Sequence, residues 1–342
     1  MSFIKTQKIP SSQEVIDSIP LPSDLAEIKA KRDAELAKII TGELDKFILI
    51  VGPCSASDET AVCDYVSRLG RLNEAVSDKL FIIPRIYTNK PRTTGEGYKG
   101  MLHQPDPNKA TDIYGGIKSI RKMHIKAINE SHLTAADEML YPENLVFVSD
   151  MLSYIAIGAR SVENQQHRLV SSAIDVPVGM KNPTSGDISV MLNSIQAAQA
   201  KHEFLYRNHE IHTSGNPLAH AILRGSVDKY GQSHPNYHYE DLVRLAEDYN
   251  KRDLINHTVI CDANHANSNK KYYEQPRIVE EILRSRLANS EVKSLVKGVM
   301  IESFIEEGNQ KVEGGIYGKS ITDACIGWAQ TRDLILRIAD HV

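Results

Sequence analysis

The chain has 342 residues, 41% hydrophobic and 25% charged, a composition that excludes a disordered protein. Its formal charge of −4 argues against a general nucleic-acid binder, and no apolar run approaches the roughly 20 residues of a membrane span. Cys54, Cys63, Cys261 and Cys325 form no CxxC pair and the N-terminus has no signal-peptide core. This predicts a reduced, cytoplasmic protein in which a cysteine matters as a ligand or nucleophile.

Residues 1–45 read as an N-terminal extension, with IPSS and IPLPS turns and then a charged helix from about 22 to 41. From 46 to 342 one catalytic domain is expected, because a single rhythm runs to the end. Strand-length apolar runs occur at 47–52, 80–86, 133–138, 154–160, 176–181, 219–225, 257–263 and 296–303. Helical patterns lie between most of them. In DISVMLNSIQAAQAK, Ile188, Met191, Leu192 and Ile195 share one face. Continuous apolar strands alternating with amphipathic helices predict a parallel sheet under helices, and eight repeats predict an α/β fold of the (β/α)8 TIM-barrel type. A doubly wound sheet is the weaker alternative, since no GxGxxG follows an early strand.

Each run finishes on or just before a chemically active residue: Cys54, Arg85, Glu138, Arg160, Lys181, Arg224, His265 and Glu302. In a barrel these strand ends open onto one face. The stretch RIYTNKPRTTGEGYKG, residues 85–100, is the loop after strand two, long enough to fold over that face. HEFLYRNHEIHTSGN, residues 202–216, alternates like a small β-hairpin inserted before strand six. The hairpin and the extension are candidates for subunit contacts or regulation.

Arg85, Lys90, Arg92, Arg160, Lys181 and Arg224 would all point toward the barrel mouth. Any one of them could be an ion-pair partner or a solvated edge, but six converging cations repel unless anions hold them. Arginine forks match phosphate and carboxylate oxygens, and lysine adds a point charge, so more than one anionic group is expected in the site. The loop glycines would let backbone N–H groups approach an oxyanion. Cys54, His265, Glu302 and Asp323 form a mixed donor set suited to one divalent ion of Mn, Fe, Co or Zn. Cys54 as a small core residue and His265 as a satisfied polar group are the competing readings. Glu138 could balance charge, hold a water or donate a proton.

GPCS (52–55), KPRTT (90–94), GYKG (97–100), IGAR (157–160), GMKN (179–182), ILRG (222–225), HANS (265–268), GVMIES (298–303), EGNQ (307–310) and YGKSITDACIGW (317–328) occur together and in order. In this the chain resembles the type I 3-deoxy-D-arabino-heptulosonate 7-phosphate (DAHP) synthases, the group regulated by aromatic amino acids. The resemblance runs from about residue 46 to the C-terminus, and its most specific parts are KPRTT and YGKSITDACIGW. It implies a barrel transferase that condenses phosphoenolpyruvate with erythrose 4-phosphate, an aromatic amino acid effector, and a homodimer or homotetramer.

The resemblance also implies roles. Cys54, His265, Glu302 and Asp323 would ligate the metal. Arg160 and Arg224 would grip the phosphate of phosphoenolpyruvate, and Arg85 and Lys181 its carboxylate. Lys90, Pro91, Arg92 and Thr93 would bind erythrose 4-phosphate, with Lys90 near the aldehyde, and Glu138 would orient a water. The chain departs from the family's pattern at TTGEGYKG, at Asn264, at Pro183 and in the run after Glu138, where regulated members form part of the inhibitor pocket. A synthase acting on arabinose 5-phosphate, a metal-dependent sugar-phosphate aldolase and a non-catalytic anion-binding barrel are the alternatives.

Overall fold

The computed structural model describes every residue except Met1, Phe3 and Thr93. Eight strands carry the chain's apolar runs: β1 (Phe47–Gly52), β2 (Leu80–Pro84), β3 (Ala135–Glu138), β4 (Leu152–Ile157), β5 (Val178–Lys181), β6 (His220–Leu223), β7 (Val259–Asp262) and β8 (Val296–Glu302). All their pairings are parallel, in the order β2–β1–β8–β7–β6–β5–β4–β3. A parallel bridge between Arg85 and Ala136 joins the two outer strands and closes the barrel. The predicted (β/α)8 architecture is therefore the observed one.

The helices are α1 (Ser12–Ser18), α2 (Ser23–Thr41), α3 (Glu59–Val76), α4 (Ile113–Ser131), α5 (Pro142–Leu145), α6 (Gln165–Ser171), α7 (Ile188–Gln199), α8 (Tyr239–Asn250), α9 (Gln275–Ala288), α10 (Ser290–Leu295) and α11 (Trp328–His341). In α7 the predicted face is the buried one, with Met191, Leu192 and Ile195 inside. Asp58, Asp112 and Asp187 start α3, α4 and α7 by accepting hydrogen bonds from first-turn backbone N–H groups.

Side chains on a strand point alternately to its two faces. Leu49 and Val51 of β1 pack outward against the helices, and Ile48 and Ile50 fill the barrel. The same interior holds Phe81, Ile83, Ala136, Tyr154, Ala156, Ile222, Ile260 and Met300. Leu36, Ile39 and Ile40 of α2 belong to this inner cluster too, so the helix of the extension plugs the N-terminal end of the barrel. Gly42 ends α2 in the left-handed region at φ 84°, where its N–H reaches Ile39 and Lys38 carbonyls. Farther up the extension, Arg121 of α4 donates to the Ile19 carbonyl at 2.8 and 2.9 Å while pairing with Asp150 at 2.7 Å.

The predicted hairpin is present, with Glu203–Tyr206 antiparallel to His209–His212. Arg207 and Asn208 form its two-residue turn at φ 51° and 64°. Tyr206 Oη donates to the Pro142 carbonyl at 2.9 Å, which rests the hairpin on the segment after β3.

Candidate active site

The inward alternation that fills the barrel also builds its mouth. Two residues beyond Ile83 comes Arg85, and the same step takes Ala136 to Glu138, Ile222 to Arg224, Ile260 to Asp262 and Met300 to Glu302. Lys181 ends β5 in the same way. Arg160 and His265 stand three residues beyond β4 and β7, on the loops. Arg85, Glu138, Arg160, Lys181, Arg224 and His265, together with Cys54, Lys90, Pro91, Arg92 and Asp323, line a cleft of about 510 Å3. Glu302 is buried behind them. Thr93 lies outside the described residues.

At one end of the cleft sits a cluster of donors. Sγ of Cys54 and carboxylate oxygens of Glu302 and Asp323 lie within 4.8 Å of one another. Lys90 Nζ is 2.8 Å from Cys54 Sγ and 2.8 Å from Asp323 Oδ2. His265 Nε2 stands 4.0 Å from Glu302 Oε1, at the margin of the cluster. Glu302 is held from three sides. Asn264 Nδ2 donates to its Oε2, Gln275 bonds its backbone N–H at 2.8 Å and its carbonyl at 2.9 Å, and Arg85 Nη2 is 2.9 Å from Oε1. Despite that charge contact, Oε1 is buried without a hydrogen bond. A buried carboxylate oxygen with spare lone pairs, beside a thiol, a second carboxylate and an imidazole, is a donor set that fits a divalent transition metal.

Charge holds the two carboxylates of this cluster in their ionised form. Burial opposes the charge on Glu302, but Arg85, His265 and Lys90 outweigh it and hold the carboxyl below its usual range. Burial likewise opposes ionised Asp323, and Lys90 and Lys270 overcome it. Lys90 answers to the reverse balance: burial disfavours its charge, while Cys54, Asp323 and Glu302 raise its pKa above that of a free lysine. The Cys54 thiol is pushed up by burial and by Glu302.

The other cations divide into two kinds. Arg85 pairs with Glu302, stacks 3.8 Å over the Tyr87 ring and donates to the Pro53 carbonyl, which leaves its Nε buried without a partner. Lys181 pairs with Asp262 at 3.2 Å, and the same carboxylate oxygen lies 2.8 Å from His265 Nδ1. Arg160 and Arg224 have no carboxylate partner among the described residues. Nη1 of Arg224 is buried and unpartnered at the cleft, and burial lowers the pKa of this guanidinium. Arg160 is exposed at the cleft rim, but an unpaired cation as buried as Arg224 is costly, so Arg224 is arranged for an anion that comes from outside, with Arg160 beside it on the same cleft.

Glu138 Oε1 lies against Gly158, where a Cβ would stand 2.4 Å away, so IGAR needs its glycine to admit the carboxylate. In the loop over the mouth, Gly95, Gly97 and Gly100 take φ of 80°, 85° and 100°. These are left-handed values that glycine adopts without steric cost. The loop closes on itself through the Lys90 N–H to the Lys99 carbonyl at 3.0 Å and Arg92 Nε to the Tyr98 carbonyl at 2.8 Å.

Several participants escaped the sequence reading. Asp262 had a visible signal, an acid two places after an inward isoleucine inside an apolar run. Asn264, Gln275 and Lys270 (3.7 Å from Asp323) had none, since their partners come from distant segments. Asp137 was also missed: it accepts from the Thr88 N–H at 2.9 Å and from the Thr88 hydroxyl, pegging the base of the loop that carries Lys90.

The profile of the DAHP synthetase I family matches residues 23–336. The chain is 38% identical over 331 residues to a Trp-sensitive phospho-2-dehydro-3-deoxyheptonate aldolase of Enterobacter agglomerans, covering 94% of this chain and 92% of that one. It is equally 38% identical over 336 residues to a Phe-sensitive one of Escherichia coli K12, covering 96% and 93%. A solved structure of phospho-2-dehydro-3-deoxyheptonate aldolase from Francisella tularensis SCHU S4 superposes with TM-score 0.91 at 30% identity, over 100% of this chain and 98% of that one.

Proposed function

This chain belongs to the DAHP synthetase I family, and from that premise we propose how its cleft divides the work between two substrates. The reaction is the condensation of phosphoenolpyruvate with erythrose 4-phosphate that opens the shikimate pathway, and the enzyme is a transferase. Enzymes of the family depend on a metal, and Cys54, Glu302 and Asp323 can hold one here.

In our reading Arg160 and Arg224 bind the phosphate of phosphoenolpyruvate, and Lys181 and Arg85 meet its carboxylate. Lys90, Pro91, Arg92 and Thr93 bind erythrose 4-phosphate with its aldehyde toward Lys90. His265 is the fourth metal ligand, and the ion is Mn, Fe, Co or Zn. When bound, it supplies Lewis-acid polarisation of the aldehyde oxygen. The enol carbon of phosphoenolpyruvate forms a bond to the aldehyde carbon, and the electron pair of that carbonyl moves to oxygen. Lys90 Nζ, protonated between Cys54 and Asp323, is the proton source beside that oxygen. Glu138 orients the water that adds to the resulting cationic carbon, and phosphate leaves from the hemiketal. Most of the acceleration comes from holding two repelling anions in register against fixed positive charge.

The observation that carries this reading is the buried, unpartnered Nη1 of Arg224 on the same cleft as Arg160. The test is loss of phosphoenolpyruvate absorbance with erythrose 4-phosphate present, then with EDTA, then with Mn2+ restored. Consumption that ignores the chelator would remove the metal from the scheme, and consumption only with arabinose 5-phosphate would reassign the acceptor.

For regulation we propose an aromatic amino acid bound in a pocket of about 410 Å3 between α2, the segment after β3 and the hairpin. Leu145, Val146 and Tyr206 offer an apolar wall, and the Lys29–Asp33 ion pair and Asp150, already paired with Arg121, bring both signs of charge to its rim. Adding phenylalanine, tyrosine and tryptophan singly to the assay tests this, and no inhibition by any of them would refute it. We further propose a cytoplasmic homodimer or homotetramer in which residues 1–45 and the hairpin make subunit or regulatory contacts, with residues 46–342 as the catalytic domain. Among the described residues no helix is long and apolar enough to cross a membrane.

A further inference from the structure

A second concentration of positive charge lies on the N-terminal face of the barrel, opposite the cleft. Lys46 precedes β1, Lys297 lies near the start of β8, and Arg286 and Lys293 come from α9 and α10. With Asp45 and the hydroxyl side chains Ser290 and Ser294 they line a pocket of about 200 Å3. That volume holds several waters, and so a tetrahedral oxyanion.

The charges there are not balanced. Lys46 is paired with Glu35 at 2.6 Å, but Arg286, Lys293 and Lys297 form no ion pair among the described residues. Arg286 is only 7% exposed. Its Nη1 donates to the Val296 and Lys293 carbonyls, and its guanidinium lies 4.6 Å over the Phe47 ring. No hydrogen bond engages its Nε or Nη2 among the described residues. Asp45 is the one carboxylate lining the pocket, and it is exposed. Burial pulls Arg286 down to about 10, with Asp45 acting in the opposite direction, and burial also lowers Lys297. A guanidinium is still charged at neutral pH at that value. One exposed carboxylate faces three cations there, and a bound anion would offset the charge that Asp45 leaves uncompensated.

We propose that this pocket is an oxyanion site of phosphate class, taking free phosphate or the phosphoryl group of a phosphate monoester. Arg286 forms its floor through Nε and Nη2, Lys293 and Lys297 flank it, and Ser290 and Ser294 supply neutral donors. A planar guanidinium matches two phosphate oxygens and the ammonium groups add point charge.

The test is calorimetric titration of the metal-loaded enzyme with its cleft saturated by phosphoenolpyruvate, using inorganic phosphate in one arm and glycerol 3-phosphate in the other. Beside any binding in the erythrose 4-phosphate part of the cleft, the wild-type chain should bind at one further site, sensitive to K293A/K297A, in at least one arm, and the arm that shows it identifies the source. In the double variant K293A/K297A that binding should weaken by at least about tenfold, the size of one or two lost charged contacts. Turnover should stay unchanged, since neither lysine lines the cleft. Both substitutions fall outside the core, and circular dichroism checks that the variant is folded. No binding beyond the cleft in either arm, or equal binding by variant and wild type, overturns the proposal.

Discussion

Lys90 Nζ lies 2.8 Å from Cys54 Sγ and equally 2.8 Å from Asp323 Oδ2. One ammonium therefore bridges two of the donors proposed to hold the metal, and it brings the loop after β2 into the metal's neighbourhood. Cys54→Ala should lose stoichiometric metal and lower turnover by more than about 100-fold, beyond the range seen when only a supporting residue is removed. Metal content after dialysis and far-UV circular dichroism separate ligand loss from misfolding. Full metal content in the folded variant would sink the ligand assignment.

Lys90→Ala tests the division of the cleft. The variant should need far more erythrose 4-phosphate or fail to turn over, yet bind phosphoenolpyruvate as the parent does. Calorimetric binding of phosphoenolpyruvate alone supplies the second readout. Equal loss for both substrates would mean that the cleft is not divided as proposed.

Arg224 makes the converse case. A hydrogen bond to a charged group contributes about 1.5–3 kcal/mol, so Arg224→Gln should weaken phosphoenolpyruvate binding by about 10- to 150-fold. The KM for erythrose 4-phosphate should change much less. An unaltered affinity for phosphoenolpyruvate counts against the role of the unpartnered Nη1.

Asp137 has a pH signature. Burial pushes it up to about 7, against the hydrogen bonds it accepts from Thr88 and from the Glu138 N–H. A carboxyl raised above its unfolded value makes the folded state bind the proton more tightly, so stability falls as pH rises from about 4 to about 7. Asp137→Asn removes this contribution while an amide can still bond Thr88. Urea midpoints at pH 5 and pH 8 should therefore lie closer together in the variant than in the wild type. An identical difference in both proteins would show that Asp137 does not titrate in this window.

The plug under the barrel predicts a cost far from the chemistry. Ile39 is fully buried in the inner cluster with Ile48, Phe81 and Ile260. Ile39→Ala should destabilise by about 2–5 kcal/mol, as large-to-small core changes do. Denaturant unfolding measures it, and a change under about 1 kcal/mol would mean that α2 only rests on the barrel.

Much of the fold and site was legible because strand chemistry is local. A residue's inward or outward direction follows from period two along its own strand, so Phe81, Ile83 and Arg85 declare one face without knowledge of any other strand. Eight apolar runs separated by helical patterns predicted the barrel, and the residues that end those runs, Arg85, Glu138, Lys181, Arg224 and Glu302 among them, were expected at one mouth. The hairpin was equally local, its two short strands meeting at a two-residue turn.

What only the tertiary structure decided is partnership. Cys54 and Asp323 are 269 positions apart and meet at 3.4 Å. Nothing in either neighbourhood says that they do, nor that Arg85 pairs with Glu302 while Arg224 keeps an unpartnered Nη1. The grip of Asn264 and Gln275 on Glu302, and the placement of α2 under the barrel, have the same character. Sequence alone determined where each strand and helix runs and which residue ends it, because those signals lie within the element itself. Closure of the barrel decided which groups share charge, because Coulomb and hydrogen-bond energies depend on distances that no spacing along the chain contains.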